Sequence, residues 1–300
     1  MRGKTTLVTS MYNQNISVLE TLDKLFFPSL LKNGNKNIGI LIIDDCSPLR
    51  RETVELVNKY TSKLMRAFAF IKFLRNKTNL GFAASFNKGI RLTQTKYILI
   101  ANDDLYFPTG SIKGLINTLD GPENYGLVGP ISNNKELWSY QYCRQAPKIK
   151  SYQPKEIEKL DLFSSWLQKE MAGQRIITDN ICGFCFAADT AYLKSFGGFT
   201  EKYQHGYYED TDLIQRIIKE HGKGSVVINM EVFIGHGGVK GASGSFKQLP
   251  LKMVKSLMAN SAKYAQTWGY MKLLKRFVYG TLSQLGYGTV SQILPKKILY

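Results

Sequence analysis

Four apolar runs of strand length alternate with helical stretches in the first hundred residues, and this alternation restricts the possible folds more than any other feature. The runs cover residues 5–12, 38–45, 68–76 and 96–102. Continuous apolar runs of this length are typical of strands buried on both faces of a parallel sheet. Between them, apolar residues such as Val18, Leu22 and Leu25 recur at helical spacing. The order predicts an α/β fold with a Rossmann-like, mostly parallel sheet and helices on both faces.

Regular patterns resume after residue 150. They predict helices at residues 155–171 and 207–222, further strands at residues 225–236, and a strand followed by a short helix and a Gly-Gly turn at residues 181–199. From Leu249 the spacing turns helical again, with an apolar stripe from Val254 to Met271. We therefore expect an α/β domain over residues 1–245, followed by a basic, amphipathic helical region over residues 246–300.

The charge distribution sets the C-terminal region apart. The chain has 40 Lys and Arg residues against 23 Asp and Glu residues, a formal net charge of +17. After Glu231 there is no acidic residue, while ten Lys and Arg residues follow. Such an excess indicates an anionic partner, which could be nucleic acid, a phosphorylated small molecule or an anionic lipid surface. Because the C-terminal region is both basic and amphipathic, we expect it to lie on an anionic membrane surface.

Cysteine content and apolar runs predict the cellular location. Four cysteines are too few for a disulfide scaffold of this size, and apolar neighbours around Cys182-x-x-Cys185 favour a core position over a zinc or redox site. The first residues lack a signal-peptide pattern, and no apolar run reaches the ~18 residues that span a bilayer. We expect a reducing, cytoplasmic location, with peripheral attachment to the inner face of the cell membrane.

Carboxylates stand where two of the predicted strands end. Asp44-Asp45 ends the second run, and Asn102-Asp103-Asp104 ends the fourth. Ligands of open α/β sheets bind at the carboxyl ends of the strands, and divalent cations prefer oxygen ligands. The two pairs therefore favour a metal–nucleotide site, although turn hydrogen bonding would explain either pair alone. A third acidic cluster, Glu209 to Asp212, begins a predicted helix, where capping and general-base chemistry both remain open.

Six segments that include these residues resemble the family 2 glycosyltransferases with the GT-A fold. They are LVTSMYNQ, LIIDDCSP, NLGFAASFNKGI, LIANDDL, GFCFAADTAYLKSFGGFTEKY and YYEDTDLIQRI, in the family's order over roughly residues 5–240. The resemblance implies a GT-A catalytic domain that moves a sugar from a nucleotide-diphospho-sugar to an acceptor hydroxyl, with inversion at the anomeric carbon. It also implies a UDP-, dTDP- or GDP-sugar donor, a transferred hexose or deoxyhexose, and Mg²⁺ or Mn²⁺ as cofactor.

For the donor, the resemblance implies contacts from eight residues near the ends of the first strands: Thr9, Tyr12, Asp44, Asn79, Gly81, Asn87, Asn102 and Asp103. Thr9 and Tyr12 would line the base pocket, and Asp44 would contact the nucleobase or the ribose. The Asn79-x-Gly81 loop and Asn87 in the following helix would lie near the nucleotide. Asp103 would contact the ribose or serve as a turn residue.

For the metal, the resemblance implies a ligand role for Asp104, because Asn102-Asp103-Asp104 occupies the place of the family's Asp-x-Asp motif. Asn102 stands where the first Asp of that motif is expected, which weakens chelation by two carboxylates. His236 would be a further metal ligand or would hydrogen-bond its glycine-rich loop. That loop, residues 235–245, would close over the diphosphate with Lys240 as a charge partner.

For catalysis, the resemblance implies that Asp210 is the base that deprotonates the acceptor and that Glu209 lies near the acceptor or donor sugar. The implied acceptor is a glycan or a lipid-linked molecule, used in the synthesis of cell-surface polysaccharide or glycolipid. The sequence is also compatible with a homo-oligomer.

Two other functions compete with this interpretation. A GT-A-like nucleotidyltransferase would also bind a metal–nucleotide complex, but TSMYNQN after the first strand lacks the expected Gly-rich loop. A nucleic-acid-binding protein would account for the charge, but no recognition motif accompanies it. We therefore expect no nucleic-acid partner.

Overall fold

The central sheet defines the architecture of the chain. The computed structural model describes residues 3–134, 139–203, 207–237, 251–284 and 292–294. Within these residues the strands are β1 (Thr5–Met11), β2 (Ile38–Asp44), β3 (Phe70–Arg75), β4 (Tyr97–Asn102), β5 (Leu105–Tyr106), β6 (Leu127–Ile131), β7 (Arg175–Ile177), β8 (Cys185–Asp189), β9 (Val226–Phe233) and β10 (Gly235–His236). Eight of them form one sheet in the order β3-β2-β1-β4-β8-β6-β9-β7, and β5 pairs with β10 in a separate ribbon. In the large sheet only β7 and β8 run antiparallel to their neighbours, which confirms the predicted, mostly parallel sheet.

Most of the helices described connect these strands, and two follow the last strand in the chain. They are α1 (Ile16–Thr21), α2 (Phe27–Lys32), α3 (Arg50–Ala67), α4 (Phe82–Leu92), α5 (Ser111–Leu119), α6 (Pro154–Glu170), α7 (Thr190–Ser195), α8 (Glu209–His221), α9 (Leu251–Trp268) and α10 (Tyr270–Gln284). A π-helical turn, Leu22–Phe26, joins α1 to α2, so the segment predicted as one helix changes its winding. The N–H of Phe27 donates to the carbonyl of Leu22, five residues earlier, and the following Pro28 has no N–H to donate.

Both faces of the sheet are covered by helices. Successive residues of a strand point to opposite faces. Val8 and Ile43 belong to the core that packs against α4, α6 and α8, whereas Leu7 and Ile42 belong to the core that packs against α1, α2, α3 and α5. All seven residues of β2 are buried. The apolar run at 38–45 therefore predicted a strand that is buried on both faces.

The strand register brings the polar strand ends to one edge of the sheet. Met11 at the end of β1 pairs with Asp44 at the end of β2, and Asp44 in turn pairs with Arg75 at the end of β3. On the other side of β1, Ser10 pairs with Asn102 at the end of β4. The first two predicted carboxylate pairs therefore lie at the ends of β2 and β4. These two strands flank β1 and end at the same edge of the sheet.

The C-terminal helices pack against α8. The buried rings of Tyr203, Tyr208 and Tyr264 form a small aromatic cluster between α9 and the segment that enters α8. The predicted stripe from Val254 to Met271 extends from α9 into α10 and is not buried as a whole, because Tyr264 is buried whereas Met258 on α9 and Met271 on α10 are 69% and 77% exposed. Gly269, with a φ of +90°, separates α9 from α10. Among the helices described, none is both long and apolar enough to cross a membrane.

Candidate functional site

Asp44 is completely buried at the end of β2, and both of its carboxylate oxygens are bonded within the chain. Oδ2 forms an ion pair with Nη1 of Arg75, and Oδ1 accepts the Ser47 N–H at 2.8 Å. Arg75 Nη2 also donates to the Ser47 carbonyl at 3.0 Å. The guanidinium of Arg75 compensates the buried charge and is itself 23% exposed, so it presents a cation beside Asp44.

Asp45 fixes the loop that contains Asn79 and Gly81. Its Oδ1 accepts the Leu80 N–H at 2.8 Å and the Asn76 amide at 2.8 Å, and its Oδ2 accepts the Gly81 N–H at 2.8 Å. Gly81 has a φ of +82°, which favours glycine. The Asn79 side chain is exposed and accepts the Gly81 N–H at 3.0 Å. A single carboxylate therefore sets the conformation of this loop.

Thr9 and Tyr12 lie on and just after β1. The Thr9 hydroxyl is buried and has no hydrogen-bond partner among the described residues, whereas Tyr12 is half-buried. The next residue, Asn13, anchors the turn, because its N–H donates to Ser47 Oγ and its side-chain amide donates to Thr53 Oγ1, both at 2.9 Å. The turn after β1 is therefore fixed against the turn after β2.

Asn87 on α4 contacts a distant turn of the chain. Its side-chain amide donates to the Phe199 carbonyl at 2.8 Å and to Glu201 Oε1 at 2.9 Å, while its Oδ1 accepts the Phe199 N–H at 2.8 Å. The turn before Phe199 contains Gly197 and Gly198, at φ values of +71° and +70°. Asn87 therefore connects α4 to the turn after α7, and in this structure its polar atoms bond to the protein.

The β5–β10 ribbon places His236 beside Asp104. His236 pairs with Leu105, the residue after Asp104, and its Nε2 lies 3.3 Å from Asp104 Oδ1. The imidazole stacks on the Phe184 ring, with 4.8 Å between the ring centres. Both side chains are almost buried, and Asp104 Oδ1 accepts no hydrogen bond from the described residues.

The surroundings of Asp104 fit a divalent cation. Desolvation, reinforced by the adjacent charge of Asp104, raises the pKa of Asp103 to about 8. Two ligands at right angles around one Mg²⁺ are about 3 Å apart, close to the separation of Asp104 and His236. Within the described ranges no three His, Cys, Asp or Glu side chains surround one metal position. Asn102, substrate oxygens or water would therefore complete the coordination, as Mg²⁺ commonly requires.

Glu209 and Asp210 begin α8 with different surroundings. Asp210 Oδ2 accepts the Gly183 N–H at 2.8 Å, and its Oδ1 accepts the Thr211 N–H at 2.6 Å and the Thr211 hydroxyl at 3.2 Å. Glu209 is 7% exposed, and its Oε2 is buried without a hydrogen-bond partner in the described structure. Burial, together with the charge of Asp210, raises the pKa of Glu209 to about 8. The cluster thus pairs a hydrogen-bonded carboxylate with a carboxyl group that favours its protonated form.

Two strained residues precede this pair. Tyr207 and Tyr208 have φ values of +71° and +77°, and left-handed backbone costs a non-glycine residue roughly 1–2 kcal/mol. The C-terminal helices hold Tyr208 in place: its hydroxyl lies 2.8 Å from Ser261 Oγ on α9, and the Arg276 guanidinium of α10 lies 5.1 Å from its ring centre. The orientation of Glu209 and Asp210 therefore depends on contacts with α9 and α10.

Gly183 and Phe184 connect the two acidic clusters. Gly183 donates its N–H to Asp210, whereas Phe184 accepts the Asn102 N–H at 2.8 Å through its carbonyl and stacks on His236 through its ring. Consecutive Cα atoms are 3.8 Å apart. The predicted metal residues and the predicted base are thus brought to neighbouring positions.

Two residues to which the sequence assigned no role, Arg75 and Arg276, support the site, together with Asp45 and Asp212, which it indicated only as members of acidic clusters. Asp212 is 2% exposed and accepts bonds from Lys202 at 3.1 Å, Arg216 at 2.9 Å and the Trp268 indole N–H at 2.9 Å. Its i,i+4 spacing to Arg216 is a helical ion-pair pattern that could have identified it. Arg75 ends the strand next to β2, so the predicted strand order could have indicated its contact with Asp44.

Some sequence predictions fall on residues that the structure does not describe. Lys240 and the loop beyond Gly237 lie outside the described residues, so their proposed contact with the diphosphate stays a prediction. Cys182 and Cys185 form no disulfide, and burial raises the pKa of both thiols well above the usual range. Cys185 occupies the expected core position, whereas Cys182 is half-buried and packs against the same core.

Comparison with known proteins identifies the class. A family model described as glycosyl transferase family 2 matches residues 6–194. An uncharacterized glycosyltransferase of Haemophilus influenzae is 25% identical over 122 residues, which cover 41% of this chain and 36% of that protein. The match thus spans little more than a third of that relative's length.

Two solved structures share the fold at low sequence identity. The mannosyltransferase PcManGT from Pyrobaculum calidifontis, in complex with GDP-Man and Mn²⁺, has a TM-score of 0.60 and 14% identity, with 95% of this chain and 71% of that chain covered. S. aureus TarS 1–349 in complex with UDP-GlcNAc has a TM-score of 0.56 and 14% identity, with 96% and 74% covered.

The sheet and its helices are those of a GT-A glycosyltransferase. Because the family model covers more than half of the residues, the chain belongs to glycosyl transferase family 2. The family and the fold expected from the six sequence segments are both confirmed.

Proposed function

We propose that the chain transfers a sugar from a nucleotide-diphospho-sugar to an acceptor hydroxyl, with inversion at the anomeric carbon. The contact of Gly183 and Phe184 with both acidic clusters is the observation that carries the proposal. A diphosphate held near Asp104 would place its sugar close to Asp210, because these two consecutive residues separate the clusters. Residues 1–245 would form the catalytic domain, with α9 and α10 completing its active end.

The donor nucleoside would occupy the edge formed by the ends of β1, β2 and β4. Thr9 offers a buried hydroxyl with no hydrogen-bond partner in the described part of the chain, and Tyr12 offers a half-buried ring. Asp44 would act together with Arg75, whose charge is suited to an anionic donor. The loop at Asn79 and Gly81, the α4 residue Asn87 and the Asn102–Asp103 turn would border the nucleotide.

Asp104 and His236 would hold a divalent cation between the protein and the diphosphate. When bound, Mg²⁺ or Mn²⁺ would offset the negative charge that develops on the leaving nucleoside diphosphate. Asp104 Oδ1, which is buried and accepts no hydrogen bond from the described residues, and the raised pKa of Asp103 support this assignment. The protein itself would supply the orientation, since the β5–β10 ribbon and Phe184 fix the imidazole.

Asp210 would accept the proton of the acceptor hydroxyl as that oxygen bonds to the anomeric carbon. The bond from this carbon to the diphosphate oxygen breaks on the opposite face, so the configuration is inverted. The backbone N–H groups of Gly183 and Thr211 donate hydrogen bonds to Asp210 and orient its carboxylate. Glu209, which favours its protonated form, would donate a hydrogen bond to a sugar oxygen.

The neighbouring structures and the sequence together favour one class of donor and one class of acceptor. The GDP-Man of the PcManGT complex and the UDP-GlcNAc of the TarS complex support a nucleotide-sugar donor. We infer a UDP-, dTDP- or GDP-linked hexose or deoxyhexose. A glycan or lipid-linked acceptor, used in the synthesis of cell-surface polysaccharide or glycolipid, would complete the reaction.

We also propose that α10 attaches the protein to the inner face of the cell membrane. Its exposed apolar side chains recur at helical spacing, with Tyr270, Met271, Leu274 and Val278 between 48% and 77% exposed. The excess of basic over acidic residues after Glu231 would add attraction to anionic lipid. Sedimentation with phosphatidylglycerol vesicles would test this, with Leu274→Glu expected to reduce binding and Met65→Glu on α3 as an equally exposed control. Equal sedimentation of all three proteins would contradict it.

The donor assignment can be tested by thermal shift and by release of nucleoside diphosphate. UDP-, dTDP- and GDP-sugars would be screened with and without Mn²⁺, for the wild type and for Asp104→Asn. We expect one nucleotide series to raise the melting temperature more with Mn²⁺, and Asp104→Asn to lose the metal-dependent part. Stabilisation by DNA but by no nucleotide sugar would overturn the proposed function.

A further inference from the structure

A cavity of about 250 Å³ lies between α8, α10 and the segment before β8. The residues that matter for its chemistry are Asp179, Thr211, Gln215, Lys272, Lys275 and Arg276. Drug-sized ligands usually occupy about 300–1,000 Å³. The cavity is therefore too small for a whole nucleotide sugar but large enough for a charged headgroup.

Its charge is not balanced by the protein. Three cations face one carboxylate, and that carboxylate, Asp179, pairs with Lys275 at 2.6 Å. Lys272 donates instead to the neutral Gln215 Oε1 at 2.7 Å, and Arg276 contacts the Tyr208 ring. Neither Lys272 nor Arg276 has a carboxylate within ion-pair distance among the described residues. Two positive charges therefore remain for a ligand.

The cavity adjoins the proposed base. Thr211 lines it, and the Thr211 N–H and hydroxyl both bond to Asp210 Oδ1. Arg276 is close enough to Glu209 for its charge to counteract the rise in the pKa of that carboxyl. A ligand bound in this cavity would lie between α8 and α10, next to Asp210.

We propose that this cavity binds a phosphate group carried by the acceptor and thereby directs an acceptor hydroxyl to Asp210. This rests on the proposed glycosyl transfer and adds a substrate class, a phosphate-bearing acceptor. An ammonium and a guanidinium suit the oxygens of a phosphate, the guanidinium through two parallel hydrogen bonds. We do not assign the donor diphosphate to this cavity, because its proposed position is at Asp104 and His236.

Binding of inorganic phosphate provides the first test. Calorimetry in EDTA, which removes divalent ions, would compare the wild type with Lys272→Gln and Arg276→Gln. Lys255→Gln is the matched control, since Lys255 is an exposed α9 residue outside the cavity. We expect both cavity variants to bind phosphate at least tenfold more weakly, and the control to bind within twofold of the wild type. Equal affinities in all four proteins, or no binding by the wild type, would overturn the proposal.

Kinetics provide the second test and separate this proposal from the first. Phosphate should inhibit hydrolysis of the donor without competing with it, and Lys272→Gln should raise the inhibition constant at least tenfold. Competition with the donor would place phosphate in the donor site and overturn the acceptor cavity. A wild type that binds phosphate in EDTA but turns over no nucleotide sugar would instead refute the proposed function. Comparing phosphatidic acid vesicles with glycerol 3-phosphate as competitors would show whether a lipid or a free phosphate binds more tightly.

Thermal unfolding controls for misfolding. Arg276 also contacts Tyr208, so Arg276→Gln can lower stability. Lys272 contacts only the Gln215 amide and the Trp268 ring among the interactions described, and glutamine is a good helix former. Loss of phosphate binding in Lys272→Gln at an unchanged melting temperature would therefore support the cavity directly.

Discussion

Replacing Asp210 by asparagine is the change that separates chemistry from folding most clearly. The substitution keeps the shape of the side chain but removes its capacity to accept a proton. General-base catalysis contributes roughly 10²–10⁴-fold to a rate, or about 2.7–5.4 kcal/mol of barrier. We expect kcat for sugar transfer to fall by at least about 100-fold.

The hydrogen bonds at this position limit the loss of stability. Asp210 accepts from Thr211 on one oxygen and from Gly183 on the other. Asparagine has one acceptor oxygen, so its NH₂ group must face one of these N–H groups, which costs roughly 1–3 kcal/mol. In a chain of this size, about 1 kcal/mol corresponds to roughly 2–4 °C. Removing the charge beside Glu209 offsets part of the loss, so the melting temperature should fall by only a few degrees.

The assay is release of nucleoside diphosphate in the presence of donor and acceptor, together with a donor titration by thermal shift. Donor affinity should stay within about threefold, because the predicted donor residues lie in other elements. A folded Asp210→Asn protein with kcat within tenfold of the wild type would refute the assignment of the base.

Asp212→Asn, two residues further along α8, should show the opposite order of effects. Its carboxylate is buried between Lys202 and Arg216, and removing one partner of a buried ion pair costs roughly 3–5 kcal/mol. We expect a larger fall in melting temperature than for Asp210→Asn and a smaller fall in kcat for the protein that remains folded. If both variants lost rate and stability in the same proportion, the separation of roles along α8 would be wrong.

Three further predictions concern other parts of the molecule. Asp45→Asn should raise the KM for the donor about tenfold with little change in kcat, because it removes the charged acceptor of the Gly81 N–H; donor titration of the initial rate measures this. Gly198→Ala should lower the free energy of unfolding by at least about 2 kcal/mol in denaturant titrations, since its Cβ would lie 2.4 Å from Asn87 Oδ1 at a φ of +70°. Gly197→Ala, at a similar φ but with open space around the Cβ, should cost roughly 1–2 kcal/mol, and equal losses would contradict the steric argument. The raised pKa of Glu209, about 8, means that the folded state binds a proton that the unfolded state releases near pH 4.5. The stability of the metal-free wild type relative to Glu209→Gln should therefore fall as the pH rises from about 5 to 8, and a difference independent of pH would contradict this.

Strands that are buried on both faces could be predicted, because each one is a continuous apolar run in the sequence. All seven residues of β2 are buried, and every one of them lies within the apolar run that predicted the strand. The helical spacing of Leu22 and Leu25 likewise predicted a helix. The π-helical turn that contains both residues was not predicted, because periodicity does not reveal how a proline alters the hydrogen bonds before it.

The completed site depends on contacts between residues that are distant in sequence. The motif resemblance selected Asp104, His236, Glu209 and Asp210, which the structure brings to neighbouring positions. The strands that deliver His236, β5 and β10, contain two residues each and are too short to show a period. Asp45 bonds to amides 35 and 36 residues later, so no local pattern encodes this contact.

The consecutive left-handed tyrosines before α8 have a thermodynamic consequence. Ser261 and Arg276, on the C-terminal helices, contact Tyr208 and so favour this backbone. Docking of those helices and the reactive arrangement of Glu209 and Asp210 are therefore linked, and linkage is reciprocal. Docking of the helices stabilises the ordered carboxylates, and the ordered carboxylates stabilise docking by the same free energy. A ligand that binds preferentially to the docked helices therefore also favours the ordered carboxylates. The proposed active end is thus assembled cooperatively from the start of α8 and the two helices that follow it in the chain.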